Sequence, residues 1–246
     1  MREDGFSLSI LDRTDSTNNY AMQKVRAGLA KHGAAVFALE QTKGKGQRGK
    51  SWQTGKGKNI ALSVMLKADR IKLSGQFHLS IIVALACYDF IKKYAGDETK
   101  IKWPNDLYWC DRKAGGILIE NSFRGKTWVW SVVGIGININ QAKFASKLKN
   151  PVSLKQVTGK DYDIIELANE LHALVFEKIN AAKSKSFKKL LEEYNACLYK
   201  QNEKVKLKYK GKTMQALIKE VNQKGQLVIF SEKKEVFDFG EIEWIM

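Results

Sequence analysis

Between Lys43 and Lys58 the chain carries six basic residues, five glycines and no acid. Inside that stretch, Gly44-Lys45-Gly46-Gln47-Arg48-Gly49-Lys50-Ser51-Trp52 has the composition of a loop that closes over an anion. Glycine reaches positive φ and lets backbone N–H groups approach a phosphate or carboxylate closely. The cations add attraction, and Trp52 adds a face on which a flat ligand can stack. Such a loop serves several chemistries, and a run of charge is most often a solvated surface. Its meaning depends on what the rest of the chain brings to it.

Two familiar patterns fail on context. Gly44, Gly46 and Gly49 spell G-x-G-x-x-G, with Asp69 about 20 residues further on, as a dinucleotide site requires. That site also needs a helix opening at the third glycine, whereas Gly55 and Gly57 follow and disfavour one. Asp238-Phe239-Gly240 matches the magnesium triplet of protein kinases but has no catalytic loop upstream, and it reads as a strand-end coincidence.

Four further segments carry polar groups suited to a site: Ser16-Thr17-Asn18, Gln41, Lys102-Trp103-Pro104-Asn105-Asp106 and Lys113-Ala114-Gly115-Gly116. A fifth, Gly134-Ile135-Gly136-Ile137-Asn138, closes a long apolar strand. Taken singly, each has a plain alternative: Ser16 and Thr17 as a helix cap, Gln41 as a strand end, Asn105 and Asp106 as turn formers after a rigid proline.

In this order and spacing the segments closely resemble the biotin protein ligases, over the chain from about Leu11 to Met246. The resemblance implies an ATP-dependent, AMP-forming enzyme that makes biotinyl-5′-AMP and passes biotin to a lysine of the biotin carboxyl carrier protein of acetyl-CoA carboxylase. It implies biotin contacts from Ser16, Thr17, Asn18, Gln41, Gly44, Lys113, Gly115 and Gly116. Lys45, Arg48, Trp52, Asn105 and Asn138 match the nucleotide-binding positions, and Lys45, Arg48 and Lys113 the catalytic ones. Asp106 matches the carboxylate on the magnesium side. ATP and Mg²⁺ enter as co-substrate and biotin as substrate, with no tightly bound prosthetic group. The loop departs from the G-R-G-R-R-G of familiar members at Lys45 and Gln47, so it holds one cation fewer. The first motif begins by Ser16, and the expectation is a monofunctional ligase without an N-terminal DNA-binding domain and without specific DNA binding. A homodimer is compatible with the resemblance. A lipoate or octanoate ligase of the same fold is the nearest alternative, and a basic nucleic-acid-binding module the alternative from another class.

The elements that must position these groups are legible in outline. At 246 residues, 44% hydrophobic and 28% charged, the chain has the composition of a globular protein with one large domain or one plus a small appendage. Apolar strands are expected at 6–13, 34–41, 59–67, 99–103, 107–110, 115–122 and 127–139, and helices at about 16–29, 76–93, 163–182 and 186–199. Strands and helices without strict alternation predict an α+β, mixed-sheet catalytic domain over residues 1–199. From Lys204 to Lys210 lysines alternate with apolar residues, and five short strands over 200–246 predict a small SH3-like barrel. Cys87, Cys110 and Cys197 lack paired spacing and read as reduced thiols of a cytoplasmic protein. No run of about 18 apolar residues exists, so no membrane span is expected. The formal charge of +16 suits phosphate-bearing ligands and an acidic protein partner alike.

Overall fold

The structure, a computed structural model, describes residues 6–71, 75–146 and 148–245. Its frame is a seven-stranded sheet built from β1 (Leu8–Thr14), β2 (Ala35–Gln41), β3 (Asn59–Lys67), β4 (Thr99–Lys102), β5 (Asp106–Trp109), β6 (Arg112–Arg124) and β7 (Thr127–Asn138). The spatial order is β1-β2-β3-β7-β6-β5-β4. Only β1 and β2 run parallel; the other neighbours are antiparallel, which makes the sheet mixed as expected.

The two faces of this sheet are chemically different. On β3, Ile60, Leu62, Val64 and Leu66 point one way, and Val133, Ile135 and Ile137 of β7 share that side through the strand register. They pack with Ile71 of the short α2 (Ala68–Ile71), with α3 (Gln76–Ala95) and with α5 (Ile164–Ala182) into the main core. Twelve residues of the 20-residue α3 are buried, so this helix runs through the interior instead of floating on it. Each fully buried Leu, Ile, Val or Phe contributes about 1.5–3 kcal/mol, which makes this face the stabilising one. The opposite face carries α1 (Thr17–Arg26) over β2, β3 and β7 and a much smaller apolar cluster of Ala21, Ala34, Val36, Met65 and Val132.

Helix ends are fixed locally. Asp163 caps α5 by accepting from the N–H groups of Ile165 and Glu166, and Ser186 caps α6 (Phe187–Ala196) through Lys189. A five-residue helix, α4 (Leu154–Thr158), has a capping box between Ser153 and Gln156 and stops at Gly159, whose φ of 74° suits glycine.

The tail forms a separate antiparallel sheet of β8 (Lys204–Tyr209), β9 (Lys212–Val221), β10 (Leu227–Phe230), β11 (Lys234–Phe237) and β12 (Ile242–Ile245), ordered β11-β10-β9-β8-β12. On β8, Leu207 is buried while Lys204, Lys206 and Lys208 are exposed, as the alternation predicts. Leu207, Ile218, Val221, Leu227, Ile229 and Phe237 join the same apolar cluster as the main core. Polar ties reinforce that junction: Asn195 of α6 exchanges two hydrogen bonds with Val221, and the Trp103 indole N–H donates to the Gly225 carbonyl at 2.9 Å.

Tyr194 of α6 is fully buried beneath this junction, and its hydroxyl has no hydrogen-bond partner among the described residues. Replacing it by phenylalanine should therefore leave stability unchanged or raise it by about 1 kcal/mol, because the lone hydroxyl was desolvated without return. Urea unfolding of Tyr194→Phe checks this, and a loss of stability would mean that the hydroxyl has a partner after all.

Candidate functional site

The face of the sheet opposite the main core is stripped of side chains at its centre. Gly136 of β7 lies between Ala61 of β3 and Gly116 of β6, and Gly134 lies between Ser63 and Leu118. A β-carbon at Gly134 would run into the side-chain amide of Asn18, and one at Gly136 into the indole of Trp52. The start of α1 and the end of the basic loop therefore rest directly on sheet backbone. Gly115 is tight for another reason, since a β-carbon there would come within 2.8 Å of the Gly136 carbonyl.

At the α1 end, Ser16, Thr17 and Asn18 are buried. Ser16 occupies the N-cap position without capping through its side chain, and its own N–H donates to Asp15 Oδ1 at 2.6 Å. Gln41 Oε1 takes over that task, accepting from the Thr17 N–H at 2.8 Å and from the Thr17 hydroxyl at 3.1 Å. Ser63 Oγ sits 2.6 Å from Asn18 Oδ1 and 2.8 Å from Thr17 Oγ1, and its single proton serves one of them at a time. Asn18 Nδ2 donates to Glu120 Oε2 at 2.8 Å. Of the expected biotin contacts, Thr17, Asn18 and Gln41 thus form one network, with Ser63 and Glu120 as members that sequence reasoning missed, while the Ser16 N–H turns to Asp15 instead.

The basic loop folds back on itself. Gly46 N donates to Lys50 O at 2.6 Å and Trp52 N to Gly44 O at 2.8 Å, around one 3₁₀ turn at Gln47–Gly49. No α-helix opens at Gly49, in keeping with the rejection of a dinucleotide site. Gly44 is pressed against the Trp52 carbonyl and Gln41 Nε2, with no room for a β-carbon. The loop's inner side, with Leu118 and Glu120, lines a cavity of about 600 Å³. Lys45 Nζ lies 3.3 Å from Glu120 Oε1. Arg48, at φ 54°, turns to the tail and donates to the Gly240 carbonyl at 3.0 Å. Among the described residues, Gln47 Oε1 and Trp52 Nε1 are buried without hydrogen-bond partners, although buried polar atoms nearly always have them.

Beside the glycine strip, Asp106 faces Gly116 across the β5–β6 pair, and Lys113 Nζ lies 2.6 Å from Asp106 Oδ1. A β-carbon at Gly116 would be in ordinary contact with that pair, 3.4–3.6 Å from its atoms. Asn105 and Asn138 direct their Nδ2 groups to backbone: Asn105 to Ile117 O at 2.9 Å, Asn138 to Val152 O at 3.0 Å and Lys113 O at 3.3 Å. Among the described residues no group of three or more His, Cys, Asp or Glu gathers as a metal cluster.

Lys102, next to this turn, is buried with its ammonium 4.5 Å from the Tyr108 ring centroid, 5.0 Å from Trp244 and 5.7 Å from Tyr199. Burial pushes its pKa down to about 8, Lys113 pushes the same way, and Asp106 opposes both. The three rings favour the cation and recover part of the desolvation cost.

Two measurements test this arrangement. Because the folded pKa of Lys102 lies below the unfolded value of 10.5, the unfolded chain holds more protons between pH 8 and 10.5, and stability from this group rises with pH there. The stability of wild type minus that of Lys102→Met should climb by up to roughly 3 kcal/mol across that window; a flat difference in urea unfolding would mean that Lys102 stays charged throughout. Gly136→Ala should cost about 1–3 kcal/mol by overpacking against Trp52. In a Trp52→Ala background the same change should cost far less, and equal costs would show that the indole is not what the glycine makes room for.

The chain is similar to known proteins in sequence and in fold. The sequence model of the Biotin/lipoate A/B protein ligase family matches residues 10–138, more than half of the chain. The chain is 31% identical over 181 residues to the bifunctional ligase/repressor BirA of Escherichia coli, covering 73% of this chain and 54% of that protein. It is 38% identical over 160 residues to the biotin–[acetyl-CoA-carboxylase] ligase of Paracoccus denitrificans, covering 63% of this chain and 65% of that one. The chain thus spans about half the length of the ligase/repressors that it matches. The biotin protein ligase of Aquifex aeolicus, solved in complex with biotin and ATP, superposes with a TM-score of 0.80 at 27% identity, over 96% of this chain and 97% of that one. The matched span runs from β1 through the basic loop and the glycine strip to Asn138, and the chain belongs to the Biotin/lipoate A/B protein ligase family.

Proposed function

We propose that the chain joins biotin to ATP as biotinyl-5′-AMP and then transfers the biotinyl group to a lysine of the biotin carboxyl carrier protein of acetyl-CoA carboxylase. The observation that carries this reading is the bare Gly116–Gly136–Gly134 strip. It has a polar network at one end, the Lys113–Asp106 pair at the other and the basic loop alongside. The names of the relatives, biotin ligases in Paracoccus denitrificans and Aquifex aeolicus, support the same substrate.

Biotin's ureido group offers two N–H donors and one carbonyl acceptor. Buried Thr17, Asn18 and Ser63 and half-buried Gln41 supply hydroxyls and amides of both kinds, and an unmet partner in a buried setting costs about 1–3 kcal/mol. In the first step a biotin carboxylate oxygen attacks the α-phosphorus of ATP. The bond to the β-phosphate breaks, and pyrophosphate leaves with its electron pair. Two anions must meet, so the work of the protein is electrostatic, and Lys113, Lys45 and Arg48 supply the positive charge. No nucleophilic side chain is required. In the second step the neutral amine of the acceptor lysine attacks the activated carbonyl, forming an amide and releasing AMP and a proton.

A magnesium ion arriving with ATP would further screen the phosphates, and Asp106 is the carboxylate suited to hold it. A single hard oxygen donor fits, because Mg²⁺ keeps water and phosphate oxygens as its remaining ligands. Trp52, seated on Gly136, offers its free side to the adenine. Asn105 and Asn138 act on the nucleotide chiefly by holding the backbone around Lys113. Residues 1–199 form the catalytic unit in this reading, and 200–246 the appended one. The +16 charge favours encounter with an acidic carrier domain.

ATP–pyrophosphate exchange, with biotin and lipoate offered separately, tests the proposal. Exchange with biotin is expected, and exchange with lipoate alone or with neither acid would sink it. Lys113→Ala should lower exchange by about 10²-fold or more, whereas Lys206→Ala on the exposed face of β8 should leave it unchanged. Equal effects would remove Lys113 from the chemistry.

A further inference from the structure

The Asp238-Phe239-Gly240 triplet has a role in the fold that no kinase analogy explains. Arg48 Nη1 donates to the Gly240 carbonyl at 3.0 Å across 192 positions of sequence. The same guanidinium lies 5.8 Å from the Phe239 ring centroid. The turn beneath it is tied down: Glu241 N donates to Asp238 O at 3.2 Å, Asp238 N to Glu241 Oε2 at 2.7 Å and Gln226 Nε2 to Asp238 Oδ1 at 3.1 Å. Gly240 sits at φ 90°, and a β-carbon there would collide with the Arg48 guanidinium. Phe239 also meets Trp103 edge-on, with centroids 6.2 Å apart and planes at 84°. One short turn of the tail thus touches both the basic loop and the segment that leads to Asn105 and Asp106.

We infer that the Asp238–Glu241 turn is a positioning element of the anion site, with Gly240 and Phe239 setting where the Arg48 guanidinium is held. A guanidinium is planar, with five donors in a fixed fork. Fixing one N–H on a carbonyl and one side of the plane beside a ring fixes the direction of the rest, which stays available for phosphate oxygens. Arg48 itself has φ 54° and ψ 43°, a conformation that a non-glycine residue keeps only when its surroundings hold it. Attachment of the tail sheet does not depend on this contact, because the shared core, the Asn195–Val221 bonds and the Trp103–Gly225 bond already supply it. Phe239 is 48% exposed, so its ring contributes little to that core. That the anion is the phosphate chain of ATP rests on the function proposed above; that the tail orders the loop does not.

The test uses the full chain with Phe239→Ala, Phe239→Tyr, Arg48→Ala and the Phe239→Ala/Arg48→Ala double variant. Without any substrate, tryptic cleavage after Lys45 and Lys50 should be several-fold faster in Phe239→Ala than in wild type and near wild type in Phe239→Tyr. In the exchange assay Phe239→Ala should raise the KM for ATP about tenfold while leaving the KM for biotin within about twofold. The same change should have little further effect once Arg48 is alanine. Wild-type cleavage and ATP KM in Phe239→Ala would overturn the inference, as would an undiminished effect in the Arg48→Ala background. Should Phe239→Ala unfold, Phe239→Leu takes its place in the same comparisons. Absence of biotin-dependent exchange in wild type would count against the proposed function alone, since the substrate-free cleavage rates still decide whether the turn orders the loop.

Discussion

The central constraint in this molecule is the contact between a side chain and bare backbone at Gly134 and Gly136. A sheet of long apolar strands normally carries side chains on both faces, and neighbouring elements then pack at side-chain distance. Here the β7 register puts two glycines beside Gly116, Ala61 and Ser63, so one face drops to backbone level over several residues. Asn18 and Trp52 descend into that depression, from a helix start and from a loop. Everything that could bind a ligand is then arranged around its edge. The stabilisation forgone on this face is carried by the other, where β3 and β7 press Ile, Leu and Val against α3 and α5.

Bringing polar groups to a buried depression has a cost that the network over it answers. Thr17, Asn18, Gln41, Ser63 and Glu120 satisfy one another through short hydrogen bonds, and they draw on α1, β2, β3 and β6 to do so. Such a network fixes the start of α1 relative to the sheet more sharply than apolar packing does, since each donor has a direction. It also contains slack: Ser63 has two acceptors and one proton. A ligand carrying its own donors and acceptors can therefore enter by exchange of partners without stranding any group.

The elements were legible in the sequence because their periodicity is strong. The expected strand at 59–67 coincides with β3 and the expected helix at 76–93 lies within α3, since long apolar runs leave little freedom of assignment. α4 has no expected counterpart: five residues are too few to show a period, although Ser153 and Gln156 carry the spacing of its capping box. Motif positions were legible as positions, and the close packing of Asn18, Gln41 and Lys113 around the glycines follows from them. Ser63 and Glu120 were hidden because each sits in an apolar strand, where one polar residue carries no signal of the partner it meets across the sheet. The Phe239–Gly240 contact was hidden more deeply. Its partner is 192 positions away, and the only pattern that marks it points to an unrelated chemistry.

Three of the site's cations already have partners, and weak ones. Lys45 pairs with Glu120, Lys113 with Asp106, and Arg48 with a carbonyl and a ring. The first two pairs are partly open to solvent, and such pairs contribute only about 0–1 kcal/mol. Bare cations crowded around one cavity would repel each other, loosen the loop and destabilise the fold of a chain that carries +16 overall. Bound lightly, they are spread and oriented at little cost. An arriving anion then needs only to outbid a surface-grade contact to recruit each of them, while a neutral molecule of the same shape gains nothing from the exchange. Selectivity for a charged ligand is in that sense a property of how the cations are stored when the ligand is absent.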